Sequence, residues 1–340
     1  MKINRKKLAI TVLKGDGIGP EIIDQGLRLM SIFPLTWHFN YGDIGLGSYK
    51  LNGNPLPAGT IKKCRTADAV LFGAVTTPLF LKDYVSPIVR LRQILGLYAN
   101  VRPCYSFERK PKKIDLVIVR ENTEGLYSGI EHRLKGGAVA ERVITVKACR
   151  KIIEFAFKYA ADKGRQKITL VHKANILRLT DGLFLKIGRA IAAKHPGIDF
   201  EDILIDTAAL NLVRKPQTFD VMVTTNMFGD ILSDEAAGLT GGLGMAAAAN
   251  IGRNTGLFEP VHGSCPKYQG KNIANPFACF LAIALMFDYL GLAKFAGMIR
   301  TAVAISCQRG LCTHDLGGQL STTAATESVI KIIRSEYAVN

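Results

Sequence analysis

Two aspartates, Asp230 and Asp234, stand four residues apart in the stretch FDVMVTTNMFGDILSDEAAG, directly after the apolar run Val221-Met222-Val223-Thr224-Thr225. If that run is a buried strand opening into a helix, both carboxylates share one helix face, one turn apart, at the mouth of a sheet. Hard divalent cations such as Mg²⁺ or Mn²⁺ take one or two protein carboxylates and complete their shell with water and substrate. Alone, D-x-x-x-D describes a solvated helix face better than a metal site. The surrounding sequence favours the metal.

Apolar runs of strand length recur between helical patterns at Leu8–Leu13, Ala69–Phe72, Leu116–Val119, Ile168–Val171, Ile203–Ile205 and Val221–Thr224. The alternation predicts an α/β protein with a largely parallel sheet covered on both faces. Polar residues follow these runs: Arg120-Glu121-Asn122, His172-Lys173, Asp206, and Asn226 with Asp230. In open α/β sheets the ligand crevice lies beyond the carboxyl ends of the strands, so four separate segments point at one site.

Two glycine-bearing loops accompany them. Lys14-Gly15-Asp16-Gly17-Ile18-Gly19-Pro20-Glu21 follows the first strand, but Pro20 stands where a dinucleotide fingerprint needs its third glycine, so the segment is expected to be a tight, backbone-exposing turn with Pro near a helix start. A second loop, Glu259-Pro-Val-His262-Gly263-Ser264-Cys265-Pro-Lys267-Tyr268, supplies amides and a cation suited to a nucleotide. The run Ala246–Ala249, beside Gly241, Gly242 and Gly244, is expected to be close packing or a backbone-dominated turn near the site.

The bulk numbers bound the class. A chain of 340 residues, 48% hydrophobic, is long enough for two domains with separate cores. Seven cysteines without C-x-x-C spacing argue against a disulfide framework and a zinc site, and point to a reducing, cytoplasmic setting. No signal peptide or membrane-spanning stretch is expected. The net charge of +16 is spread along the chain, with only short knots at Arg5-Lys6-Lys7 and Arg109-Lys110-Pro111-Lys112-Lys113, which argues against nucleic acid and for a field that draws small polyanions.

The motifs together resemble the metal-dependent β-decarboxylating dehydrogenases, a family of isocitrate, 3-isopropylmalate, homoisocitrate and tartrate/malate enzymes. The likeness runs from GDGIGPE through LRQILGLYANVRP, RENTEGLYSGIEH, VHKANILRLTDG, TTNMFGDILSDEAAG and EPVHGS to THDLGG, over essentially the whole chain, and looks nearest to archaeal-type isopropylmalate and homoisocitrate enzymes. It implies an isocitrate/isopropylmalate dehydrogenase-like fold of two α/β domains with a non-Rossmann cofactor site. Residues 1–98 plus 240–340 would form a large discontinuous domain with the nucleotide loop, and residues 99–239 a small central domain with the dimer interface and metal ligands. It also implies a homodimer with shared active sites.

Carried over by motif, Arg92, Arg102 and Arg120 would clamp the malate carboxylates, a task that suits bidentate, permanently charged guanidinium groups. Tyr127 and Lys173 match the catalytic pair, with Lys173 on the base side, pushed toward its neutral form by a cation and arginines. Asp206, Asp230 and Asp234 match the ligands of Mg²⁺ or Mn²⁺, with Lys173 and Asp206 arriving from the neighbouring subunit. The cofactor-binding set implied is Thr77, Glu259, His262, Gly263, Ser264, Cys265, Lys267, Tyr268, Ala274 and Asn275.

Substrate choice in the family lies in the helix before the first clamp arginine, here Asp83 to Arg92. Ser86 resembles the isocitrate enzymes, but Ile88 stands where they place asparagine. Val85, Ile88 and Val89 offer an apolar wall that suits an isopropyl group and leaves a third carboxylate unpartnered. The pattern therefore favours 3-isopropylmalate, with isocitrate and homoisocitrate as alternatives. Lys267-Tyr268 matches NADP-using members, whereas Ala274 resembles the NAD form, so NADP is favoured and NAD remains possible. A catalytically silent regulatory subunit is the rival from another class. Such relatives lose part of the Tyr, Lys and Asp set, which this chain keeps.

Overall fold

The protein is described by a computed structural model covering residues 7–78, 80–81, 84–107 and 114–337. Asp83 and the basic knots at Arg5-Lys6 and Arg109–Lys113 lie outside the described residues. The chain divides into two compact units, one built from residues 1–95, 107–109 and 241–340, the other from residues 96–106 and 110–240.

The first unit opens with strand β1 (Lys7–Gly15), helix α1 (Gly19–Met30), β2 (Thr36–Tyr41), α2 (Leu46–Asn52), α3 (Ala58–Thr66), β3 (Ala69–Ala74) and α4 (Pro87–Ile94). The second unit holds β4 (Ala99–Tyr105), β5 (Asp115–Glu121), the hairpin β6 (Glu131–Leu134) and β7 (Gly137–Ala140), α5 (Val146–Asp162), β8 (Lys167–His172), α6 (Thr180–Ala192), β9 (Asp199–Leu204), α7 (Ile205–Arg214), β10 (Val221–Thr224) and α8 (Asn226–Leu239). The chain then completes the first unit with β11 (Ala247–Ile251), β12 (Gly256–Pro260), α9 (Phe277–Tyr289), α10 (Ala293–Gln308) and α11 (Thr322–Tyr337).

In the first unit the strands run in the order β2-β1-β3-β12-β11, all neighbours parallel except β11 against β12. In the second the order is β4-β5-β10-β8-β9, all parallel except β4 against β5. Residues Leu116–Val119 of β5, Ile168–Val171 of β8 and all of β10 are buried on both faces, as helices on either side of a parallel sheet require. Helix α9 buries ten of its thirteen residues, among them Phe277, Phe280 and Phe287, so it is an inner helix that reaches solvent only near its end, at Leu285, Asp288 and Tyr289. Helix α5 is amphipathic by contrast, and starts where the Thr145 hydroxyl accepts a hydrogen bond from Ala148 N.

The strand read at Ile203–Ile205 is instead Asp199–Leu204, and Ile205 begins α7 with Asp206 in its first turn, where a carboxylate suits the helix dipole. The alanine run is no turn. Ala247, Ala248 and Ala249 lie in β11, buried, where small side chains allow close packing. The helix before Arg92 begins only at Pro87, with Ser86 as its N-cap residue, because Pro is tolerated in a first turn.

Candidate active site

In the second unit the antiparallel register of β4 on β5 puts Asn100 opposite Arg120, and Arg102, two residues along, on the same face as Asn100. Helix α8 leaves β10, the other neighbour of β5. Gly229 of α8 meets the Arg120 side chain so closely that a Cβ there would lie 2.7 Å from Arg120 Cβ and Cγ, so only glycine lets the helix pass over this arginine.

Arg120 is almost wholly buried. Its Nε and Nη2 donate to Asn226 Oδ1 at 3.0 and 2.7 Å, and its Nη1 donates to Asp230 Oδ1. Arg102 donates through Nε to Asn100 Oδ1 at 2.7 Å and through Nη1 to Ser233 Oγ at 2.6 Å and Asp234 Oδ1 at 3.2 Å. Its Nη2 lies 3.2 Å from Asp230 Oδ1. The Tyr127 hydroxyl donates to Asp230 Oδ2 at 2.5 Å, with the Arg120 guanidinium 5.1 Å from its ring centroid. Burial, then the Asp230 carboxylate, raise the Tyr127 phenol above its ordinary range, which keeps its proton in place. Burial likewise raises the Asp234 carboxyl, with Arg102 opposing the shift and Asp230 adding to it.

Five residues predicted from sequence therefore meet on one surface: Arg102, Arg120, Tyr127, Asp230 and Asp234. Lys173 and Asp206 form a separate pair, with Nζ 2.7 Å from Oδ1, and this contact holds the Asp206 carboxyl below its ordinary range. Within the chain, the neighbour of the Lys173 amine is this carboxylate. Among the described residues no group of three His, Cys, Asp or Glu side chains is positioned to hold a metal ion, so Asp206 does not join Asp230 and Asp234 within one chain. Those two carboxylates, partly exposed on α8, are the oxygen donors a hard divalent cation takes, and the fit extends to those two donors.

The structure adds residues that the sequence did not single out. Asn100 and Ser233 orient Arg102, and Ser233 is three residues after Asp230 on the same helix face, a spacing that was readable. Asp181, fully buried, accepts from Lys173 N at 2.6 Å and from Arg142 Nη1 at 2.5 Å, while Arg142 Nη2 reaches Thr225 Oγ1 at 3.0 Å. Arg142 lay in none of the motifs, and no spacing pointed to it.

In the first unit Arg92 pairs with the buried Glu259, which also accepts from Asn250 Nδ2 at 2.7 Å, and the buried Arg92 Nε has no partner among the described residues. Near it, Ile88 is buried and Val89 half-buried, but Val85 is exposed, and the Ser86 hydroxyl makes no capping bond. Ser264 is buried, with Oγ 2.6 Å from Thr76 Oγ1, while the preceding Gly263 and Thr77 are exposed. Cys265 adopts a left-handed φ of 37°, and the exposed Lys267 lays its Nζ 5.0 Å from the centroid of the exposed Tyr268 ring.

His262 Nδ1 lies 3.0 Å from Gly263 O, burial lowers the ring's pKa, and the buried Nε2 has no partner among the described residues. That orphaned nitrogen and the exposed Lys267 fit a polar, anionic ligand such as a nucleotide. Asn275 is committed elsewhere: its Oδ1 accepts from Phe277 N at 2.9 Å at the start of α9, and its Nδ2 donates to Asp315 Oδ2 at 2.9 Å. Ala274 is buried, and its carbonyl accepts from Thr322 Oγ1 at 2.7 Å.

Residues 9–333 match the isocitrate/isopropylmalate dehydrogenase family. A homoisocitrate dehydrogenase of Methanocaldococcus jannaschii is 46% identical over 97% of this chain and 99% of its own length. A 3-isopropylmalate/3-methylmalate dehydrogenase of the same organism is also 46% identical, over 96% of this chain and 99% of its own. The crystal structure of isocitrate dehydrogenase from Methylococcus capsulatus superposes with a TM-score of 0.93 at 44% identity, covering 96% of this chain and 99% of that one. Such a fold and site define an NAD(P)-dependent β-decarboxylating dehydrogenase. The chain belongs to the isocitrate/isopropylmalate dehydrogenase family.

Proposed function

We propose that the protein catalyses the oxidative decarboxylation of a 3-carboxy-2-hydroxy acid, with 3-isopropylmalate as the preferred substrate and NADP as the preferred acceptor. The carrying observation is the cluster on α8, where two arginines, a tyrosine and two carboxylates meet. Arg102 and Arg120 bind malate carboxylates by exchanging their present acidic partners for the substrate.

A divalent cation held by Asp230 and Asp234 would stabilise negative charge on the substrate oxygen, and the nicotinamide would accept the hydride from C2. Lys173, released from Asp206 and made neutral by passing its own proton to solvent, takes the proton of the C2 hydroxyl. The bond from C3 to the departing CO₂ then breaks, its electron pair stays on the substrate, and Tyr127 delivers its proton to C3.

Lys173 and Asp206 complete this set from a second copy of the chain. The exposed side chains of Leu210 and Val213 on α7, Ile231 on α8, and Ile176 and Leu179 before α6 support a homodimer, since an apolar surface of this kind is ordinarily covered. Buried free thiols at Cys64, Cys104, Cys149 and Cys279, pushed up to about 12 by burial, support a reducing, cytoplasmic setting. No described helix is long and apolar enough to cross a membrane.

Buried Ile88 and half-buried Val89 support an isopropyl group in the specificity pocket. Homoisocitrate is the second reading, favoured by the Ser86 hydroxyl, which makes no capping bond to its own helix, and by the Methanocaldococcus relative of that name. Exposed Lys267 over Tyr268 supports recognition of a 2′-phosphate, hence NADP before NAD. Reduced-nicotinamide absorbance in a grid of 3-isopropylmalate, isocitrate and homoisocitrate against NADP and NAD, with Mg²⁺ or Mn²⁺ and an EDTA control, tests the reading. Metal-dependent turnover greatest with 3-isopropylmalate and NADP supports it. Folded protein silent in every combination would favour a regulatory subunit.

A further inference from the structure

Three amides of the glycine loop after β1 are already engaged. Asp16 N donates to Ala74 O at 2.7 Å, Ile18 N to Ser264 O at 2.8 Å and Gly19 N to Asp16 O at 2.9 Å. Amides spent in this way are unavailable to a phosphate, so the loop must serve something other than direct anion binding. Its contacts converge on Ser264. Gly17 has φ 58° and passes so close that a Cβ would lie 1.9 Å from Ser264 O.

The Asp16 carboxylate supplies the second half of this junction. Oδ2 accepts from Leu46 N and Thr76 N, each at 2.8 Å, and Oδ1 accepts from Gly47 N at 2.9 Å. The start of α2 and the segment after β3 are thus tied to one side chain. Thr76, held through its amide by Asp16, places Oγ1 2.6 Å from Ser264 Oγ. Ser264 is therefore gripped at its carbonyl by Ile18 and at its hydroxyl by Thr76. The next residue, Cys265, carries the left-handed φ of 37° that turns the chain toward Lys267 and Tyr268. A non-glycine residue persists there only where its surroundings over-determine the backbone.

We propose that Asp16 is a positioning residue for nucleotide binding, acting through Thr76 and Ser264 to fix the turn that presents Lys267 and Tyr268. The proposal rests on reading residues 262–268 as the nucleotide loop. A carboxylate is the required group, because three amide donors converge on its two oxygens and such charge-assisted bonds are stronger than neutral ones. Asparagine keeps the shape but turns a donor toward at least one of those amides.

The test uses full-length Asp16→Asn and Thr76→Val proteins. Asp68→Asn serves as control, since the Asp68 carboxylate also accepts a backbone amide, from Ala9 at 2.8 Å, in the same unit but away from the loop. Binding of NADP and NAD is titrated by calorimetry, and KM is measured separately for nucleotide and hydroxy acid. Asp16→Asn is expected to weaken nucleotide binding about tenfold, and Thr76→Val a few-fold, from loss of about one hydrogen bond's worth of ordering. The hydroxy-acid KM and the Asp68→Asn control should stay within about twofold of wild type.

Folded Asp16→Asn that binds nucleotide as wild type does, or whose two KM values rise together, overturns the proposal. Should Asp16→Asn not fold, unchanged nucleotide affinity in Thr76→Val overturns it as well. Wild-type protein that binds neither nucleotide refutes the reading of the loop itself, and the proposal with it, so the two failures are distinguishable.

Discussion

In the second unit the groups that meet are charged side chains in the middle of β4, near the carboxyl end of β5 and on α8, and their contacts are ion pairs between arginines and aspartates. In the first unit the corresponding loops meet main chain to main chain, with Ile18 N on Ser264 O and with glycine where a side chain would collide. The contrast follows from the tasks. Charge that must be created, moved or neutralised needs ionisable groups, whereas a long ligand needs a surface fixed in shape. One site fails when a charge is removed; the other fails when a backbone angle moves.

The sharpest break of this contrast is Asp230→Asn, which keeps shape and deletes charge. Turnover should fall about a thousandfold or more, because the group lies on the Tyr127 hydroxyl, the Arg120 guanidinium and the cation site at once. Steady-state rates near wild type would show that the acid cluster is not where chemistry occurs.

A second effect concerns stability. Arg120→Met removes the two hydrogen bonds donated to Asn226 Oδ1 and one of the donors to Asp230, which keeps Tyr127 and Arg102, and this should cost about 2 kcal/mol in urea unfolding. An unchanged midpoint would mean that the cluster contributes nothing to holding α8 on the sheet.

Lys267→Asp addresses the other unit and should leave unfolding unaltered, since the side chain is exposed. The ratio of NADP to NAD efficiencies should drop about tenfold, as a cation facing a phosphate becomes an anion. An unaltered ratio removes Lys267 from that role.

The smallest effect is expected at His262. Burial lowers its folded pKa below the ordinary 6.5, so the unfolded chain binds the proton first as pH falls. Stability is therefore full above the unfolded pKa and is lost as pH falls from it toward the folded value. His262→Gln should flatten the acid limb of a pH series of unfolding curves below about pH 6.5. An acid limb identical to wild type would mean that the imidazole is solvated.

Where side-chain chemistry carries the site, the residues were legible. Asp230 and Asp234 follow an apolar run, and β10 and α8 fall where the periodicity put them. Arg102, Arg120 and Tyr127 entered through their resemblance to family motifs, and their hydrogen bonds supply a physical reason for each. The glycine loop was recognised as unfit for a dinucleotide, yet its partner was invisible, because a contact between Ile18 N and Ser264 O leaves no trace in either residue's type. Asp16 escaped notice for the same reason: an aspartate in a turn reads as a local cap until three distant amides are seen on it. Strand β11 was missed because alanines carry little strand preference, and burial between neighbours decides their conformation.

Lys173 and Asp206 pair with each other and stand apart from the Asp230 cluster in one chain. Mixing the inactive variants Lys173→Ala and Asp230→Asn, with subunit exchange followed by native mass spectrometry, puts that separation to a direct test. If each site draws Lys173 from its neighbour, a mixed dimer contains one intact site, and turnover should return to about a quarter of wild type at full exchange. Mixed dimers that form and remain inactive would contradict it, because the lysine would then have to serve the aspartates of its own chain.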